Sequence, residues 1–205
     1  MRIPTTLLLA TSLSFAACGD DDDDTGGDGG GNENEVITTV TLDFAPQGGG
    51  DAVSVEWNDP DGDGGEGPTI DPIDLAAGTY TVTVGFENRL EDPPEIITNE
   101  VMDESDQHQI FFTGTAVAGP ASDVAGAPLT QSYADEDENG LPIGLEDEIV
   151  AAAGTGELTV TLRHLPPVND TPAKTEGLAQ EVLESGFGSL GGSTDAQVTF
   201  DVTVE

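Results

Sequence analysis

One run in this chain places possible metal ligands at a specific spacing: Asp135-Glu136-Asp137-Glu138-Asn139-Gly140, closed by Glu146 twelve positions from its start. Side-chain oxygens fall at the first, third, fifth and twelfth positions, Leu141 offers a carbonyl at the seventh, and glycine stands at the sixth. That is the pattern of a loop that surrounds Ca2+ with hard oxygen donors. Pro142 takes the eighth position, where such loops carry an aliphatic residue, and the flanks alternate like strands. A second cluster, Asp59, Asp61 and Asp63 followed by Gly64, repeats the first half of the pattern but has Ile70 at its twelfth position, with Glu66 or Asp71 as substitutes. Two readings stand for each: a structural calcium site pinning a loop between strands, or a solvated acidic turn.

The other side chains able to do chemistry are few. His164 continues the face of Leu158, Val160 and Leu162, which predicts a hydrogen-bonded core or rim histidine, and His108 opens a strand beside Gln107 and Gln109 as a surface or rim residue. Cys18 is the single cysteine and lies far upstream of both. With that sulfur committed as argued below, neither Cys/His nucleophilic catalysis nor a Cys/His zinc site is expected. Gly186-Phe187-Gly188-Ser189-Leu190-Gly191 fits the spacing of a dinucleotide-binding turn, but it precedes a strand instead of following one and reads as a connection. Carboxylate pairs suited to glycoside hydrolysis are unavoidable among 41 acidic residues and so carry no information. No catalytic residue is expected, and the chain reads as a non-enzyme.

What must position these residues begins with an export signal. Arg2 is followed by an apolar run through Phe15 of roughly a dozen residues, short of the ~20 needed to span a bilayer, and then by small residues at Ala16 and Ala17. Ala16-Ala17-Cys18-Gly19 resembles the bacterial lipobox, with Phe15 where such motifs usually carry Leu. The resemblance implies cleavage after Ala17 and acylation of Cys18, and two or three acyl chains hold a protein durably at a membrane where one does not. Residues 20–24 are all aspartate, which resembles the signal that carries lipoproteins of Bacteroidota-type bacteria to the cell surface. These resemblances imply a lipoprotein signal peptide at residues 1–17, and the composition predicts an Asp- and Gly-rich tether at 18–35, unable to bury apolar surface, and a folded domain at 36–205.

Charge narrows the partners. The formal net charge is −37, with 41 acidic residues against four basic ones, Arg2, Arg89, Arg163 and Lys174. Nucleic acids and anionic lipid surfaces need a cationic footprint that this chain lacks. Mutual repulsion of this size is relieved when molar salt shortens the Debye length to about 3 Å, so a salty habitat is expected.

From residue 36 the pattern is period two. Val36, Val40, Leu42 and Phe44 fall on one face and Thr39, Thr41 and Asp43 on the other, and across a Gly48-Gly49-Gly50 turn Val53, Val55 and Trp57 complete a hairpin. Further strands are predicted at 69–75, confined to an edge by Pro72, at Tyr80 to Phe86, at 109–112, at 145–151, at 158–162 and at Val198 to Val204. Short helices are predicted from Ile97 to about Ser105 and around Leu178, Val182 and Leu183, with residues 114–128 left as a long loop. Eight or nine strands joined by turns predict an immunoglobulin-like antiparallel β-sandwich, with a barrel as the alternative. Val36-Ile37-Thr38-Thr39-Val40, the run from Asp59 to Gly64, His108-Gln109-Ile110-Phe111-Phe112 and the stretch from Leu158 to His164 resemble an uncharacterised family of Bacteroidota surface lipoproteins. The resemblance implies display of a sandwich domain to an unidentified protein or glycan and no known activity. A hydrolase acting on polysaccharide or envelope material is the alternative, but Trp57, Tyr80, Phe86, Phe111 and Phe200 lie in core patterns and not on an exposed sugar-binding platform.

Overall fold

The computed structural model describes residues 35–62 and 64–205. The signal peptide, Cys18, the tether up to residue 34 and Asp63 lie outside the described residues, whereas Glu35, expected to end the tether, is half-buried against the domain. The described residues form two packed sheets and two short α-helices, α1 (Ile97–Asp103) and α2 (Leu178–Ser185). The larger sheet runs β3 (Thr69–Ile70), β2 (Val53–Asn58), β1 (Thr39–Pro46), β5 (Gly78–Glu87), β10 (Glu146–Ala151), β9 (Leu129–Tyr133), β7 (Val117–Gly119) and β8 (Ser122–Asp123). The smaller runs β4 (Ile73–Leu75), β12 (Ser193–Val204), β11 (Gly154–His164) and β6 (His108–Thr113). The β-sandwich expected from the alternation is therefore the fold. Neighbouring strands are antiparallel except for two short parallel pairings, β12 with β4 and β7 with β9.

Alternation sets the core because successive side chains on a strand point to opposite faces. Val40, Leu42 and Phe44 of β1, Val82, Val84 and Phe86 of β5, and Leu158, Val160 and Leu162 of β11 are buried between the sheets with Val198, Phe200 and Val202 of β12. Each such side chain withdrawn from water contributes about 1.5–3 kcal/mol. Strand β6 is buried along almost its whole length, because both of its faces are covered. Ile110 and Phe112 point into the sandwich, while Phe111 packs outward beneath α2 with Leu165, Leu178 and Val182.

Three stretches depart from the strand pattern, the first being Val36, expected on the face of Val40 but exposed ahead of the start of β1. The strand predicted at 69–75 is broken at Asp71-Pro72, so that β3 edges the large sheet and β4 edges the small one; proline cannot donate to a ladder and the chain changes sheet there. The segment expected to be loop at 114–128 contributes β7 and β8, and β9 follows it without having been predicted. β7 and β8 are only three and two residues long, too short to show a period, and the absence of a side chain at Gly119 lets β7 lie close against Gln131 of β9; β9 alternates Leu129 and Gln131 inward against Thr130 and Ser132, but with a single large apolar residue on its buried face.

Candidate functional site

His108 and His164 are directly opposite each other in the antiparallel β6–β11 ladder. Their rings stack with centroids 4.7 Å apart and planes 12° from parallel. His164 is the core-facing histidine expected from its strand. His108 is not the surface or rim residue expected: it is 1% exposed, because it shares the inward face of Ile110 and Phe112. The end of α1 closes over the pair, with the His108 Nδ1–H donating to the Glu104 carbonyl at 3.1 Å. A carbonyl only accepts, so this bond places the proton on Nδ1 and leaves Nε2 with a bare lone pair.

A β-bulge brings the next member in. The β11–β12 register passes from Leu162 opposite Ala196 to Arg163 opposite Thr194, which leaves Asp195 as the extra residue of β12. A bulge re-aims side chains and interrupts pairing, and Asp195 points inward, its side chain wholly buried, with Oδ2 3.9 Å from His108 Nε2. Gly192 makes this approach possible. Its φ is +73°, and a Cβ there would collide with the His164 carbonyl. Arg163 fixes the same corner, donating to Thr194 Oγ1 at 2.7 Å and to the Gly191 carbonyl at 2.6 Å. Glu104, half-exposed, completes the group with Oε2 4.0 Å from His164 Nε2. Among the described residues, His108 Nε2, His164 Nδ1 and Asp195 Oδ2 are buried without a hydrogen-bond partner.

Electrostatics follow from burial. Desolvation drives the His108 imidazole down to about 4, helped by His164 and Lys174 and opposed by the Glu104 carbonyl and Asp106. Desolvation raises the Asp195 carboxyl against the pull of His164, Ser193 and Arg163. The unfolded chain therefore takes up a proton at His108 before the folded one does, and stability falls as the pH drops from 6.5 to about 4. The expected loss is about 3 kcal/mol. Urea unfolding in chelated buffer at pH 6.5 and pH 4 checks this against His108→Gln, which should lack that part of the decline. Equal declines in both proteins would overturn it.

Asp195 also lines a cleft of about 620 Å³ with Glu35, Trp57, Asp59 and Asp61. This is where the second acidic cluster lies, with Asp59 Oδ1 and Asp61 Oδ1 buried and without a partner among the described residues. Glu35 is pushed up to about 7 by burial and by Glu100, Asp195 and Glu104, so carboxylates crowd this cleft, which shares Asp195 with the histidine cluster.

The 135–146 loop is organised differently from an open oxygen cage. Asp135 accepts the amides of Gly144, Leu145 and Glu146 at 2.7, 2.9 and 3.0 Å. Asp137 Oδ1 accepts those of Asn139 and Leu141 at 2.8 and 2.9 Å, and its Oδ2 lies 2.8 Å from the buried ammonium of Lys174. The Leu141 carbonyl accepts the Asp137 amide at 2.8 Å. Asn139 is exposed, and Glu146 stands exposed on β10 opposite Thr83. The structure thus turns the oxygens of Asp135, Asp137 and Leu141 toward the loop's own amides and Lys174. Among the described residues, the group of three His, Asp or Glu side chains converging within 4.8 Å is instead Glu104, His108 and His164. His164 was legible on its strand face; the pairing was not, because strand register and the bulge at Asp195 are set by partners more than 30 residues apart. No protein-family model, curated protein or solved structure matches the chain.

Proposed function

We propose that the protein is exported, acylated at Cys18 and displayed on the outer membrane or cell surface, where the sandwich serves as a non-enzymatic binding or structural domain of the envelope. The observation that carries the reading is the order of three segments: a short apolar leader ending in Ala16-Ala17-Cys18-Gly19, five aspartates, and a sandwich whose first strand begins at Thr39. The acyl chains would hold the domain at the membrane, and the acidic, glycine-rich segment would let it stand clear of the lipid surface. Among the described residues no helix is long and apolar enough to cross a membrane. The dense acidic surface suits a salty medium and a partner that is neither nucleic acid nor anionic lipid.

Metabolic labelling with a fatty acid tests the anchor: label should be present in the wild type and absent in Cys18→Ala. Replacing residues 20–24 by serine should preserve the label but remove access to protease added outside the cell. Undiminished label in Cys18→Ala would overturn the anchor, and unchanged protease access would reduce the aspartates to a spacer.

A further inference from the structure

We propose that Glu104, His108 and His164, with Asp195 facing His108, bind one divalent transition-metal ion of the zinc class. The argument starts from two acceptors that face each other. His108 Nδ1 carries its proton, committed to the Glu104 carbonyl, so Nε2 presents a lone pair to the Asp195 carboxylate oxygen 3.9 Å away. Neither atom has another partner among the described residues, and 3.9 Å is too long for a direct hydrogen bond. A cation between them turns a repulsive arrangement into an attractive one.

The donor set selects the cation. Two imidazoles and two carboxylates are ligands for a borderline metal, whereas calcium and magnesium take oxygen. Zinc bonds of about 2.0–2.2 Å to nitrogen and oxygen place neighbouring donors about 3.3 Å apart in a tetrahedron. Here His108 Nε2 is 3.9 Å from Asp195 Oδ2, His164 Nε2 is 4.0 Å from Glu104 Oε2, and one donor atom each of Glu104, His108 and His164 lies within 4.8 Å of the others, so closure on an ion asks for movements of about 1 Å and for the two stacked rings to tilt toward one another. Glu104 can supply its share, because its side chain is half-exposed just past the end of α1, and the same exposure is the path by which an ion enters. Two carboxylates and two neutral imidazoles also cancel the double charge. The His108 Nδ1–H bond to a backbone carbonyl is the kind of outer contact that fixes the tautomer of a metal-bound imidazole. This inference does not rest on the lipid anchor, and either can fail without the other.

The chain contains only two histidines, so a spectrum of the intact protein reads the site without mutation. The full chain, labelled with 15N-histidine, held in detergent and stripped with chelator, is titrated with zinc sulfate while the imidazole nitrogens are followed by NMR. The expected result is that one lone-pair nitrogen on each ring shifts, both saturating together at one zinc per chain, while calcium chloride moves neither. His164→Gln should weaken zinc binding about a hundredfold or more, and Asp135→Asn should leave it unchanged. If His164→Gln does not fold, the wild-type spectra decide alone. The proposal is overturned if either ring is unmoved at saturating zinc, or if zinc binding is lost in Asp135→Asn and kept in His164→Gln.

Discussion

Replacing Lys174 by methionine is expected to cost roughly 3–5 kcal/mol of folding stability, the range for stranding one member of a buried ion pair. Lys174 and Asp137 both have side chains with no exposed surface, 2.8 Å apart, and the ammonium also donates to the Ser105 carbonyl at 2.7 Å. Burial lowers the lysine's pKa while Asp137 opposes the change. Burial alone would raise Asp137, but Lys174 and the amides of Leu141 and Asn139 bring it below the usual carboxylate range. Each charge is therefore tolerated because of the other, and removing one leaves a buried carboxylate without its counter-ion. Urea unfolding at fixed molar sodium chloride measures the cost. Adding Asp137→Asn to Lys174→Met should recover part of it, since asparagine keeps an acceptor for the two loop amides and removes the stranded charge. A loss under about 0.5 kcal/mol, the scale of a surface substitution, would overturn the claim. The same experiment bears on calcium. If Lys174 is the cation that the 135–146 loop uses, chelator should leave the wild-type midpoint unchanged; a fall restored by calcium would give the loop to the ion.

At pH 9, Asp147→Asn should be more stable than the wild type by several kcal/mol. Asp147 sits on the core-facing side of β10, completely buried, with Oδ1 accepting the Gln131 Nε2–H at 2.6 Å. Burial pushes its carboxyl up to about 8, with Asp135 and Glu146 adding to the rise and Gln131 opposing it. In the unfolded chain the group ionises near 3.8, so between these values the folded state holds a proton that the unfolded state has released. The contribution is fully present below pH 3.8, is lost as the pH climbs to about 8, and amounts to roughly 6 kcal/mol. Asparagine cannot ionise and should remove this decline. Stability measured from pH 4 to pH 9 at constant high salt, which suppresses the general repulsion of the surface acids, should fall less steeply in the variant. Parallel curves would show that Asp147 is ionised in the folded protein at little cost.

Local alternation was enough to specify the sandwich and most of its strands. Val40, Leu42 and Phe44, and later Val198, Phe200, Val202 and Val204, alternate with polar residues, and that period admits only one assignment of inward and outward faces. The sequence also located both helices, α1 from the spacing of Ile97 and Val101 and α2 from Leu178 and Val182, and placed His164 on a buried face. These are local properties, written in residues two to four positions apart. Tertiary structure decided the rest, because the rest depends on which distant backbones meet. Short segments such as Val117–Gly119 became strands when a neighbouring edge offered them hydrogen bonds. Asp135 and Asp137, spaced like calcium ligands, turned their oxygens toward local amides and toward a lysine that lies 37 residues beyond Asp137 in the chain. His108, polar and flanked by glutamines, was drawn into the core by Ile110 and Phe112 and set against His164 by register. Asp195 joined them through one extra residue in β12, a bulge that no period in the sequence announces. The candidate metal site exists because three strands and the end of a helix converge at one end of the sandwich, and no stretch of the chain contains it.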